Sequence, residues 1–288
     1  MSHIEYRGRP KLSEPVVVCA FAGWNDGGEG ATTAVRELRE QWSARLFAAI
    51  DPEEFYDFQV NRPTVRMVDG ETRQVDWPTN EFSWARAGNR DVVVFLGIEP
   101  NVRWRTYCEQ ILRVCSDVEA SMVVTLGAFL ADVPHTMASP VSAASSDPSW
   151  SSHPAVVAAR YEGPTGIVGV LNDVAAKAGL PALSLWAASP HYLPQSTNPK
   201  AACALMERLR DLVGLPIDTG EVELAARTWE REVSDSIDED GNLAQYVKRL
   251  EEAAEEGLVG DLSDVPTGED IAAELERYLR DQGSTDGD

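Results

Sequence analysis

The sequence predicts an α/β protein of three layers, in which a mostly parallel sheet lies between two layers of helices. The first observation is that continuous apolar, β-branched runs recur along the chain, a pattern typical of strands buried on both faces. The second is that segments with helical apolar spacing separate these runs, joined to them by polar or glycine-rich loops. Strand–loop–helix units repeated in this way favour parallel pairing, with helices on both faces of the sheet.

Each element of this prediction comes from one segment. Strands are predicted from the apolar runs at residues 15–22, 45–50, 91–97, 121–127 and 182–187, with a short strand near residue 141. Helices are predicted from apolar spacing at residues 31–42, 102–118, 154–159, 167–178 and 199–214. Residues 64–68 and 71–75 alternate in polarity around Asp69-Gly70, which predicts a β-hairpin that covers a pocket or an oligomer contact.

The chain changes in composition beyond Pro216. Narrow amphipathic stripes predict helices near residues 222–229, 243–254 and 269–280. We expect these helices to pack on each other as a hairpin extending from the core, or on another subunit. The predicted organisation is therefore an α/β core at residues 1–216, an acidic helical extension at 217–281 and a disordered tail at 282–288.

The formal net charge of -22 lies mainly in that extension. Residues 217–288 contain 22 acidic and 6 basic residues, a net of -16, which leaves -6 for the first 216 residues. Such a charge excludes nucleic acid and anionic membranes as expected partners.

The cysteines and the apolar runs indicate the cellular compartment. Cys108 and Cys115 lie seven residues apart on one face of a predicted helix, and no Cys-x-x-Cys pair occurs, so buried thiols are expected. No apolar run has the length of a membrane span, and the first residues lack the apolar core of a signal peptide. A cytoplasmic protein is expected.

The loop after the first strand imitates a dinucleotide-binding loop. Residues 28–33 approximate the Gly-x-Gly-x-x-Gly pattern, and Asp51 lies where an acid would bind a ribose. However, the glycines begin six residues beyond the strand, and Asp26 and Glu29 would bring negative charge toward a pyrophosphate. No cofactor is therefore predicted.

Polar side chains are concentrated after the predicted strands, at the edge where ligands collect in parallel sheets. They form a pocket with anion donors, carboxylates and histidines, or they serve as caps, turns and structural hydrogen bonds. The candidate residues are Asn25, Asp26, Glu99, Arg103, His135, Glu162, Gly163, Thr165, Gly166, His191 and Tyr192.

The turn formed by Gly163, Pro164, Thr165 and Gly166 opens a predicted helix. Its free backbone N–H groups make it a cradle for an anion, or else Thr165 caps the helix. No nucleophile elbow, P-loop, His-Glu-x-x-His motif or spaced metal ligands accompany it, so no reaction and no metal are predicted.

Five segments together resemble the proteasome assembly chaperone 2 family, in its bacterial branch of about this length. They are residues 21–28, 96–107, 126–136, 161–171 and 184–192. The resemblance implies a fold similar to the phosphorylase/hydrolase architecture and homo-oligomers such as trimers. It further implies a non-enzymatic assembly or interaction protein with a proteasome-related partner.

Two features of the family's pattern depart from this sequence. Family members that act on proteasomes dock through a terminal hydrophobic–Tyr–x ending, whereas Tyr278 here is followed by ten further residues. Docking by that route is not expected. The bacterial branch is also described as an ATP-dependent carboxylate–amine ligase, but no ATP-grasp pattern is present. The alternative interpretation is a small-molecule enzyme or ligand-binding protein that uses the strand-end pocket.

Overall fold

Eleven strands and six helices build the molecule in the computed structural model, which describes residues 3–70, 72–145, 147–150, 152–158, 162–238 and 241–256. The strands are β1 Ile4–Tyr6, β2 Val16–Ala22, β3 Arg45–Ile50, β4 Thr64–Val68, β5 Thr72–Asp76, β6 Glu81–Ala87, β7 Arg90–Ile98, β8 Met122–Ala131, β9 Val141–Ser145, β10 Val157–Ala158 and β11 Ala182–Pro190. The helices are α1 Gly30–Gln41, α2 Trp104–Asp117, α3 Ile167–Lys177, α4 Pro199–Val213, α5 Gly220–Asp238 and α6 Gly241–Glu255.

Nine strands form one mixed sheet in the order β1-β3-β6-β7-β2-β8-β11-β9-β10. The central strands β7, β2, β8 and β11 pair in parallel, as predicted. Strands β1, β3 and β6 join them by antiparallel pairing on one side, and β9 pairs antiparallel with β11 on the other. The parallel centre brings the carboxyl ends of four strands to one edge.

Helices cover both faces of this sheet, which confirms the three-layer α/β architecture. Strand β2 contributes Val16, Val18 and Ala20 to the core beneath α1 and α4. Its alternate residues Val17, Cys19 and Phe21 enter the core beneath α2 and α3. Because both faces of the strand are buried, its residues are apolar without interruption, as the sequence shows.

Two small regions differ from the predicted elements. The helix predicted at residues 154–159 is wrong, because Val157 and Ala158 form β10 and pair in parallel with Ala144 and Ser145. Pairing with an open sheet edge outweighs a weak helical pattern in so short a segment. Strands β1 and β6 were not predicted, and both extend the antiparallel side of the sheet.

The predicted β-hairpin is confirmed as a separate two-stranded sheet of β4 and β5. Its turn residues Asp69 and Gly70 have positive φ angles of 54° and 74°. Two consecutive positive φ angles are the geometry of the Asp-Gly hairpin turn. The hairpin therefore projects from the layered core with both of its strand edges unpaired by the main sheet.

Helices α5 and α6 contact each other and return to the core. Val222 of α5 joins the core cluster beneath α1 and α4, and Val247 and Leu250 of α6 are also buried. The helix and tail predicted at 269–280 and 282–288 lie outside the described residues. No described helix combines the length and apolar character that crossing a membrane requires.

Candidate functional site

The ends of β2 and β7 meet the start of α3 through one carboxylate. Glu99 Oε1 accepts hydrogen bonds from Asn25 Nδ2 at 2.7 Å and from the backbone N–H of Ile167 at 2.9 Å. Glu99 thereby occupies the N-terminus of α3, where the helix dipole favours negative charge. The cap predicted for Thr165 is wrong, because Gly166 is the N-cap residue and Glu99 supplies the capping oxygen from another element.

Asn25 is packed directly against Gly166. The Asn25 side chain is 1% exposed, and a Cβ atom on Gly166 would lie 2.1 Å from its Oδ1. Only glycine permits this approach. Asn25 Oδ1 is buried without a hydrogen-bond partner among the described residues. The amide is therefore held on its nitrogen side and left unpaired on its oxygen side.

Asp26 caps the first helix. Its Oδ1 accepts the backbone N–H of Ala31 at 2.7 Å, and its Oδ2 accepts the hydroxyl of Thr32 at 2.5 Å. Burial raises the pKa of Asp26, while the hydrogen bonds from Thr32 and Ala31 oppose the rise. Asp26 thus has the capping role that the sequence left open beside a ligand role.

His135 and Tyr192 form a second, buried group behind α5. The imidazole is 3% exposed, with Nδ1 2.9 Å from Tyr192 Oη and Nε2 3.0 Å from Ser234 Oγ. Ser234 donates its own proton to the carbonyl of Glu230, so its oxygen accepts from His135. Nε2 of His135 therefore carries a proton, and Nδ1 has Tyr192 Oη as its partner.

The same group connects to α4 and α5 through Lys200. Lys200 Nζ lies 2.6 Å from the carbonyl oxygen of His135 and 2.7 Å from Glu230 Oε2. Burial raises the pKa of Tyr192 to about 12, partly opposed by the hydrogen bond from the His135 amide, and the charge of Glu251 adds to the rise. Tyr192 consequently acts as a hydrogen-bonding hydroxyl and not as an acid near neutral pH.

His191 lies next to this group but faces the surface. Its Nδ1 is 2.9 Å from Asp132 Oδ1, which also accepts the hydroxyl of Tyr246 at 3.0 Å. The hydrogen bond from His191 lowers the pKa of Asp132, burial opposes it, and the hydrogen bond from Tyr246 and the charge of His191 add smaller lowering effects. Asp132 therefore connects the end of β8 to α6.

The remaining candidates are exposed. Arg103 adopts a left-handed conformation with φ 58° at the start of α2 and pairs with Glu54. Glu162, Gly163 and Thr165 are exposed before α3. The structure thus brings together Asn25, Glu99 and Gly166 in one group and His135 with Tyr192 in another.

Several residues of these groups were not predicted. Asn198 accepts the backbone N–H groups of Lys200 and Ala201, and the Asn198-Pro199 pair is a typical helix start that would have revealed it. Ser234 and Lys200 are ordinary helix residues in the sequence, and no local pattern marks them. Asn172 bonds Thr125 Oγ1 at 2.8 Å beneath α3, and it too has no local signal.

A buried polar cluster also lies under β7. Asn80 Oδ1 accepts the hydroxyls of Tyr56 and Tyr107, both at 2.7 Å. Burial raises the pKa of Tyr56 to about 12, with opposing hydrogen bonds from its neighbours, and raises that of Tyr107 well above its usual value. Such neutral, mutually bonded hydroxyls fix the position of Asn80 and offer no acid or base.

Two cavities lie away from this edge. Their volumes are about 320 and 380 Å³, and they share Arg90 and Ser121 at the amino ends of β7 and β8. Among the predicted strand-end side chains, Asp26, Glu99, His135 and Tyr192 are paired with neighbouring side chains or with the backbone. Chemically, the described edge is a set of caps and structural hydrogen bonds.

The sheet has a parallel centre and antiparallel flanks, and its strand ends carry internal caps. These features define an α/β/α protein, and similarity to known proteins identifies its class. The model of the PAC2 family matches residues 20–237, and the chain belongs to the PAC2 family. Among curated proteins no relative matches the chain.

Three solved structures are similar to this chain, and the first two extend this identification. A PAC2 family protein from Streptomyces avermitilis is 47% identical, with a TM-score of 0.76 over 81% of this chain and 99% of that chain. A proteasome-assembly chaperone homologue from Mycobacterium tuberculosis is 45% identical, with a TM-score of 0.73 over the same shares. An archaeal proteasome activator from Pyrococcus furiosus, 18% identical, has the same fold, with a TM-score of 0.65 over 81% of this chain and 97% of that chain.

Proposed function

We propose that this chain is a non-enzymatic assembly protein that self-associates and binds a proteasome-related protein partner. The proposal rests on one observation, which is that the polar groups at the strand ends form structural hydrogen bonds. Asp26 and Glu99 cap helices, and His135 is enclosed by Tyr192 and Ser234. Groups committed to structural bonds in this way are not arranged to bind and transform a substrate.

The similarity to solved structures supports the partner class. The relative from Mycobacterium tuberculosis is a proteasome-assembly chaperone homologue, and its 45% identity extends over 81% of this chain. A shared fold alone would not carry function, but this identity covers most of the chain. The partner is therefore inferred to be a proteasome subunit or an assembly intermediate.

The hairpin of β4 and β5 supports self-association. Val65, Met67 and Val75 lie on one of its faces and are 49%, 56% and 45% exposed, and Trp77 follows them at 49%. The opposite face carries the ion pair between Arg66 and Asp76. An isolated hairpin with one apolar face is marginally stable in water, so a partner surface is expected to cover it.

A second copy of this chain is the occupant that charge favours. The molecule has a net charge of -22, which repels another copy, most strongly through residues 217–288. Residues 62–76, in contrast, contain three arginines and three acidic residues, so this segment is neutral overall. Two hairpins can therefore approach each other without the repulsion that other surfaces produce.

Light scattering coupled to size-exclusion chromatography tests self-association. The full chain is expected to elute as an oligomer, and the double variant Met67→Asp and Val75→Asp as a monomer. Thr72→Asp on the opposite face is the matched control and should leave the oligomer intact. A monomeric wild-type chain, or an oligomer unaffected by the double variant, would overturn this part of the proposal.

Affinity purification of the tagged full chain from its native cells tests the partner class. Proteasome subunits should be enriched in mass spectra relative to an equally expressed, unrelated tagged protein. Absence of enrichment, with and without chemical crosslinking, would refute the proteasome-related function while leaving self-association to its own test.

A small-molecule-binding protein is the second candidate, and the unpaired Asn25 Oδ1 is the observation that favours it. A ligand with a hydrogen-bond donor would satisfy this buried acceptor if Gly166 moved aside. Thermal-shift screening with nucleosides, nucleotides, amino acids and phosphate should then identify a ligand whose stabilisation is lost in Asn25→Ala. If no compound raises the melting temperature, this candidate fails.

A further inference from the structure

Helices α4 and α5 bring together a thiol and two carboxylates that belong to neither of the strand-end groups. Cys203 and Glu207 lie one turn apart on α4, hence on the same face of the helix. Glu223 stands in the first turn of α5, which packs against α4. The ligand atoms of the three residues all lie within 4.8 Å of one another.

The thiol lies in an environment that is both buried and negative. Cys203 is 8% exposed. Burial raises its pKa to about 11, and the charges of Glu207 and Glu223 add to the rise against a smaller effect of Arg210. Its sulfur lies within 4.8 Å of a carboxylate oxygen of Glu207 and of Glu223.

The cations nearby do not neutralise the group. Arg210 Nε bonds Asp211 at 3.1 Å, Arg227 lies 3.5 Å from Glu223 Oε2, and Glu223 Oε1 accepts the hydroxyl of Thr219 at 2.6 Å. Glu207 forms no salt bridge within the described part of the chain. Two carboxylates that converge beside a buried thiol leave negative charge that a bound cation would offset.

We propose that Cys203, Glu207 and Glu223 bind a divalent transition-metal ion of the zinc class, with water in the fourth position. Zinc accepts thiolate and carboxylate together at about 2.3 and 2.1 Å, which places neighbouring ligand atoms roughly 3–4 Å apart. The present spacing, with all three ligand atoms within 4.8 Å of one another, is close to that geometry. Magnesium and calcium, which require oxygen ligands, do not match the buried sulfur.

Metal binding would transfer the thiol proton to solvent and attach the first turn of α5 to α4. The sulfur changes from thiol to thiolate, and the ion offsets the charge that otherwise raises the cost of ionisation. Binding therefore weakens as the pH falls. It also stabilises the folded chain, because the unfolded chain lacks the assembled ligands.

Cobalt(II) is the spectroscopic probe for this site, because a thiolate ligand produces a near-ultraviolet charge-transfer band that carboxylates do not. The full chain, freed of metal by chelator, is expected to show this band saturating at one equivalent, and zinc should abolish it. Cys203→Ser should remove the band, whereas the control Cys115→Ala should retain it. Glu207→Gln with Glu223→Gln should weaken binding by about tenfold or more, as ligand-sphere changes do.

Melting curves without metal establish that each variant is folded. Should Cys203→Ser fail to fold, the paired glutamine variant, altered only at partly exposed positions, still tests the ligand set. Absence of the band in the wild-type chain overturns the proposal. Persistence of the band in Cys203→Ser, or unchanged affinity in the paired glutamine variant, overturns it equally.

Discussion

One carboxylate oxygen of Glu99, Oε1, connects three parts of the chain. It receives Asn25 from the loop after β2 and the first N–H of α3, so a residue at the end of β7 determines where that helix begins. A helix N-terminus without such an acceptor leaves backbone donors unpaired. Glu99 is consequently a positioning residue for this edge of the sheet.

Replacing Glu99 with alanine should lower the free energy of unfolding by about 1–3 kcal/mol, since it leaves the Asn25 amide and the Ile167 N–H without their acceptor. Glu99→Gln keeps one oxygen and should cost less. Urea denaturation measures both. Glu54→Ala, which removes only the exposed pair with Arg103, is the control and should change stability by less than about 1 kcal/mol. Equal losses in Glu99→Ala and Glu54→Ala would contradict this role.

Gly166→Ala should destabilise the protein by about 1–3 kcal/mol, because the added methyl group collides with the buried Asn25 amide. Truncating the partner should relieve the collision, so the cost of Gly166→Ala is expected to be smaller in an Asn25→Ala background. Gly8→Ala, whose methyl group meets no atom within 4 Å, is the control. Additive effects of Gly166→Ala and Asn25→Ala would show that the contact is unimportant.

At the level of elements, polar bonds attach α5 and α6 to the strand ends. Ser234 accepts from His135, Glu230 holds Lys200, and Tyr246 bonds Asp132. These contacts cross from the acidic helices to the α/β core. The helices therefore depend on side chains that follow β8 and β11, and the division at residue 216 remains a prediction.

Ser234→Ala should lower the free energy of unfolding by about 1–3 kcal/mol, because the N–H of His135 would remain buried without an acceptor. Ser236→Ala, on an exposed position of the same helix, is the matched control. Chemical denaturation of both variants makes the comparison. A loss no larger than that of Ser236→Ala would mean that the imidazole finds another acceptor.

The attachment of α6 should depend on pH. The folded-state pKa of Asp132 is lowered, so its contribution is present above the ordinary value of 3.8 and is lost as the pH falls through the lower folded value. Hydrogen exchange of residues 241–255 should therefore be slow at pH 6, and lowering the pH below 3.8 should reduce its protection more than that of β2. Tyr246→Phe should speed the exchange of this helix at pH 6. Equal protection of this helix in the wild-type chain and in Tyr246→Phe would show that the bond between Tyr246 and Asp132 does not hold α6 in place.

Some elements could be predicted because their residue pattern reflects how they are packed, and others could not. Strand β2 is apolar throughout because both of its faces are buried, so it was predicted correctly. Strand β6 alternates polar and apolar residues and pairs antiparallel with β7, and its irregular surroundings concealed it. From the sequence, Asp26 could be either a cap or a ligand. The positions of the neighbouring backbone N–H groups in the structure identify it as a cap.

The site was harder to predict than the fold. Parallel strands bring their carboxyl ends together, so Asn25 and Glu99 were correctly expected near one edge. What those side chains bind depends on α3 and α5, which come from distant segments. Ser234, which is 99 residues from His135, has no local pattern that marks it as a partner.

The molecule as a whole is strongly acidic, whereas the hairpin of β4 and β5 is neutral and exposes apolar side chains. The net charge of -22 disfavours contact with nucleic acid and between like surfaces. The exposed face of Val65, Met67 and Val75 offers apolar area for association. Membership of the PAC2 family, together with the identity to a proteasome-assembly chaperone homologue, directs attention to protein partners.

Native mass spectrometry of the purified full chain, mixed with proteasome core subunits from the same source, tests the central claim most directly. The account predicts a complex of defined stoichiometry that forms without nucleotide or other cofactor. An equimolar mixture with an unrelated acidic protein of similar net charge is the control and should give no complex. Separate masses for the chain and every core subunit, at concentrations well above those in the cell, would contradict the account.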